Sequence, residues 1–179
     1  LSKIEINEEN ENTDLKLFKN LYEAKLLLEK GNPAEAEKKL SGLESAAKKS
    51  VADGAADAYY STLLQCKLQN EKWEEIPGVY GKIKNPAASD KFAVSSYYYK
   101  KGQFEKVDSS CGELYASALC KLGRYSEACS EYAKLNSVSF DYALALFRTG
   151  RYDQAVKIAD AGAAGEKEYL AGLCFINLK

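Results

Sequence analysis

The chain has 179 residues, room for one compact domain or one repeat array at roughly 100–200 residues per domain, and its 25 basic and 26 acidic side chains leave a formal net charge of −1. That balance excludes the global basic bias of a nucleic-acid-binding domain, and the absence of any histidine excludes Ser-His-Asp and Cys-His catalysis. The five cysteines (Cys66, Cys111, Cys120, Cys129 and Cys174) form no C-x-x-C, so zinc spacing is absent, and an odd, scattered set fits reduced thiols in a cytoplasmic location.

In chain order, residues 1–14 read as an acidic, flexible tail, and residues 15–179 as one helical domain. With no methionine, the chain is expected to begin after the true start of the gene product. No run of 18 apolar residues occurs, so no membrane insertion is expected. Leu17, Leu21, Ala24 and Leu28 recur at helical spacing, and a turn follows at Gly31, with Pro33 suited to the first turn of the next helix. The stretch Lys48–Ala56 reads as a loop. Pro77 falls where another helix should run, and it either opens that helix late or kinks it. A short helix is expected from about Phe104 to Ser110, and Leu114, Ala118 and Leu122 mark the next one. The closing segment 168–179 reads as one more helix, with Gly172 and Phe175 at its small and bulky positions. Alternating strand patterns are lacking, so the fold class is all-α.

One phrase recurs along the chain: a glycine, any residue, an aromatic or similar group, two more residues and an alanine. It stands at Gly31–Ala36, Gly102–Val107, Gly123–Ala128 and Gly150–Ala155, with a degenerate copy at Glu71–Ile76. Seven positions before the good turns lies a small residue (Ala24, Ser95, Ala116, Ala143), and three further on a bulky one (Leu27, Tyr98, Leu119, Leu146). The glycine supplies the left-handed residue that ends a helix, and the small residues let two helices approach closely. This pattern resembles the tetratricopeptide repeat (TPR) and implies an irregular α-solenoid of about five helix-turn-helix repeats plus a terminal helix. The turns stand 40, 31, 21 and 27 residues apart, against the family's usual period of about 34. A terminal repeat needs a cover, so the chain is expected to be a fragment, or its open end to be capped by another element.

Such arrays bind through the face lined by the first helix of each repeat. Positions three, six and ten before each turn nominate a partner-binding groove of Lys25, Leu28, Gln65, Phe92, Ser96, Tyr99, Glu113, Phe140, Leu144 and Phe147. Its aromatics suit a peptide or an amphipathic helix, although each ring is also a candidate for packing between neighbouring helices. The lysines, arginine and asparagines of chaperone-tail clamps are not at these positions, where Leu21, Ser61, Phe92 and Glu113 stand instead. Neighbouring carboxylates such as Glu74 and Glu75 face different sides of a helix, and the glycine phrases lie between helices rather than after a strand, so they are no phosphate loops. No enzyme activity, metal site or cofactor is expected.

Ser89–Gly102, followed by Glu113–Tyr132 with its Glu-Leu-Tyr and Arg-Tyr turn, resembles the amino-terminal repeat domain of the signal recognition particle 72-kDa subunit family. Asp141–Ile158 is similar to the next repeat of that family. The resemblance implies a protein-binding scaffold in a ribonucleoprotein for cotranslational targeting of secretory proteins. Its partner would be the carboxy-terminal region of the particle's 68-kDa subunit, with RNA met only indirectly. Compressed repeats also resemble the epsilon subunit of coatomer, a role in vesicle traffic, and another TPR adaptor remains a third reading.

Overall fold

The computed structural model describes residues 8–161 together with 172 and 176, and its regular structure there is helical, without strands. In order come α1 (Glu8–Glu29), α2 (Pro33–Leu40), α3 (Glu44–Lys49), α4 (Ala55–Gln69), α5 (Ile76–Tyr80) and α6 (Ala88–Lys100). They are followed by α7 (Glu113–Lys121), α8 (Tyr125–Lys134), α9 (Phe140–Arg148) and α10 (Tyr152–Ala161). The chain divides into two compact units, Leu1–Tyr97 and Tyr98–Lys179.

Both units use the same turn. After α1 the Gly31 N–H donates to the Leu28 carbonyl and the Asn32 N–H to the Leu27 carbonyl, a crossed pair that satisfies two orphan carbonyls at the helix end. The same pair recurs after α4 (Glu71 to Leu68, Lys72 to Lys67), α6 (Gly102 to Tyr99, Gln103 to Tyr98), α7 (Gly123 to Cys120, Arg124 to Leu119) and α9 (Gly150 to Phe147, Arg151 to Leu146). Each pivot residue is left-handed, with φ between 56° at Glu71 and 76° at Gly150. A Cβ built on Gly123 or Gly150 would meet nothing within 4 Å, so glycine is there for its φ and not for space.

In the first unit α1 packs on α2, α3 and α4, and α4 in turn on α2, α3 and α5. Ala24 and Ala36 are fully buried between the first two helices, as their spacing predicts, and Leu64 and Ile76 fill the corresponding positions around Glu71. A charged clasp ties α2 to α4: Lys67 Nζ lies 2.7 Å from Glu37 and 2.5 Å from Glu75, with Lys72 also 2.9 Å from Glu37. Burial works against the Lys67 ammonium, but the two carboxylates outweigh it and raise its pKa. A second clasp holds α3, where Glu44 accepts from Tyr60 at 2.8 Å and pairs with Lys48 at 2.8 Å and Lys82 at 3.2 Å.

The second unit is built from α7 on α8 and α9, α8 on α9, and α9 on α10. Its core joins Ala116, Leu119, Ala128, Cys129, Tyr132, Ala143, Leu146 and Ala155. Close approach of backbones at alanines lets dispersion contacts accumulate, and the larger Leu119, Tyr132 and Leu146 fill the space between.

Several boundaries differ from the sequence-based expectation. α1 begins at Glu8, inside the segment read as an acidic tail. Lys48 and Lys49 belong to α3, so the expected loop narrows to Ser50–Gly54. Pro77 sits in the first turn of α5, after a single 3-10 turn at Trp73–Glu75; it opens the helix, where its missing N–H costs nothing. The short helix expected at Phe104–Ser110 is replaced by two 3-10 turns, Phe104–Lys106 and Ser109–Cys111. Val107 is extended between them, and the Asp108 carboxylate accepts the Ser110 N–H at 2.8 Å, a local bond that competes with continuing a helix. The expected terminal helix at 168–179 lies outside the described residues, apart from Gly172 and Ile176.

Two pivots of this turn are not glycine: Glu71, and after α8 Asn136 (φ 50°), where the Asn136 N–H donates to the Ala133 carbonyl and the Ser137 N–H to the Tyr132 carbonyl; at Glu71 an L side chain is strained. Glu71→Gly is expected to raise stability by about 1 kcal/mol, read from urea unfolding. An unchanged midpoint would mean that the turn carries no strain. The Glu44 carboxyl is held down from 4.5 to about 2 by Lys48, Tyr60 and Lys82. Its contribution is therefore complete above about 4.5 and is lost as pH falls toward about 2. Melting temperature should fall across that window, and Glu44→Gln should flatten that part of the profile; an unaltered profile would remove Glu44 from the account.

Candidate functional site

The expected groove residues separate into those that are open and those that hold helices together. In the first unit Lys25 is exposed on α1, and Leu28 is half-buried one turn later. Gln65 is half-buried on α4, and its amide donates to the Ser89 carbonyl at 3.2 Å. Ser96 donates to the Phe92 carbonyl in its own helix at 2.8 Å, so its hydroxyl acts locally. Phe92 is 48% exposed, the most open of the expected aromatics.

In the second unit the Tyr99 hydroxyl meets Ser117 Oγ at 2.8 Å, and Ser117 donates onward to Asp141 Oδ2 at 2.8 Å. That chain of bonds links α6, α7 and α9. The Tyr99 ring also meets Phe104 edge-on, with centroids 5.2 Å apart. Phe140, Leu144 and Phe147 are half-buried against the alanine-rich core, and Phe147 lies 5.4 Å from the Tyr152 ring. Glu113 is exposed at the start of α7. Of the ten residues read from spacing, Lys25, Phe92 and Glu113 are the open ones.

Two carboxylates that were not singled out do much of the positioning. Asp90, in the first turn of α6, is fully buried; its Oδ2 accepts from Ser61 Oγ at 2.8 Å and from the Ala87 N–H at 2.9 Å. The second bond is the return half of a capping box, a carboxylate three residues into a helix satisfying the N–H of the capping residue. Asp141 plays the matching part toward Ser117, while Ser139 caps α9 by accepting the Tyr142 N–H at 3.3 Å. An acid in the first turn of a helix was visible in the sequence; a serine aimed at it from another helix was not.

Two of the thiols are shielded by burial. Burial pushes Cys66 up to about 12 and Cys120 up to about 11, which leaves both protonated at neutral pH and weakly nucleophilic. Cys111, Cys120 and Cys129 fall in a 3-10 turn, in α7 and in α8. Cys174 lies outside the described residues. Burial likewise raises the Tyr132 phenol. Among the described residues no group of three or more potential metal ligands forms, and no helix is long and apolar enough to cross a membrane. Glu74 and Glu75 do not converge on a shared site with a third acid among those residues, and Glu75 is taken up by Lys67.

No protein-family model, curated protein or solved structure matches this chain.

The hydrogen-bonded chain gives a direct test of which inward positions are structural. Asp141→Ala leaves the Ser117 hydroxyl without its acceptor and is expected to cost about 1–3 kcal/mol, with Tyr99→Phe costing about 0.5–1.5 kcal/mol. Unfolding of both variants in urea measures this. Two neutral results would return Tyr99 and Asp141 to the free surface.

Proposed function

We propose that the chain is a non-catalytic protein-binding scaffold made of irregular tetratricopeptide-type hairpins. The observation that carries the reading is the recurrence of one turn, bond for bond, after α1, α4, α6, α7 and α9. The fully buried small residues Ala24, Ser95, Ala116 and Ala143, at one fixed distance before four of these turns, support the same register. Repeats of this kind offer side chains from successive first helices to an extended or helical segment. Within the first unit Lys25 and Phe92, and within the second unit Glu113, are the open side chains at these positions. Phe140, Leu144 and Phe147 would serve mainly to fix the helices that present them.

The particular reading follows the resemblance of Ser89–Tyr132 and Asp141–Ile158 to the signal recognition particle 72-kDa subunit family. On it, the scaffold holds the carboxy-terminal region of the 68-kDa subunit in the cytoplasm and meets RNA only through the particle. The absence of histidine and the buried, protonated thiols of Cys66 and Cys120 are consistent with binding rather than chemistry.

The test is capture from a eukaryotic lysate treated with nuclease, followed by titration of the purified chain with the 68-kDa carboxy-terminal segment. Direct binding is expected. Phe92→Ala should weaken it by about 2 kcal/mol with little change in melting, since the ring is half open. Phe147→Ala should instead lower stability. Capture of coatomer without the 68-kDa subunit would discard the particle and leave the scaffold reading. Equal loss of binding and stability in Phe92→Ala would move that ring into the core.

A further inference from the structure

We draw no further inference here: the strongest candidate, the exposed apolar stripe of Leu15, Phe18 and Tyr22 on α1, has acids (Glu29, Asp14) as well as lysines around it, and nothing in the structure shows what covers it.

Discussion

A left-handed residue at the end of a helix is the constraint on which this molecule depends. After α1, α4, α6, α7 and α9 the chain must reverse within a few residues, and the last carbonyls of each helix must still find donors. One residue with φ near 70° solves both problems, because it points its own N–H and the next one back at the helix it has just left. Everything downstream inherits the angle so fixed. It brings Ala36 against the helix carrying Ala24, and Ala128 against the one carrying Ala116, each fully buried. Where glycine is missing, at Glu71 and, after α8, at Asn136, the same bonds are kept and the left-handed conformation is borne by an L residue.

Upon that framework the polar side chains divide into two kinds. Some join one helix to another: Ser61 to Asp90, Gln65 to Ser89, Tyr99 through Ser117 to Asp141, and Lys67 to both Glu37 and Glu75. These bonds are directional, and alanine-rich contacts alone are not, so they fix which turn of one helix faces which turn of its neighbour. Others, such as Lys19, Lys25 and Glu113, are spread on open faces and impose nothing on the fold. Among the apolar side chains, Phe92 on α6 and Leu15, Phe18 and Tyr22 on α1 stay exposed.

The sequence could be read furthest where one residue type answers one local demand. The turn glycines, the small residues seven positions before them and the prolines in the first turns of α2 and α5 are all of this sort. Reading was poorer where two demands compete over a few residues. Phe104–Ser110 has a helical phrase at its head, but Asp108 caps a tighter turn and Val107 is buried in extended form, so no α-helix results. For the residues nominated by spacing, the sequence did not foretell the fate of each side chain. Tyr99 and Phe92 are both aromatics of α6, and the first is tied to Ser117 while the second stands half open.

The sequence by itself determined the helical class, the places where the chain turns and the small residues at the crossings, because helical period, φ preference and side-chain size act over neighbours in the chain. The tertiary structure decided what lay between distant residues: the partners of Asp90 and Asp141, the depressed Glu44 carboxyl beside Lys48, Tyr60 and Lys82, and the raised thiols of Cys66 and Cys120. It also decided which apolar residues of α1 are covered, since Leu15 and Leu17 are alike in chemistry and differ only in the direction that the packing of α2, α3 and α4 leaves to each. A hydrogen bond, a shifted pKa and a buried face all need a second group brought close by folding, and no local pattern names that group.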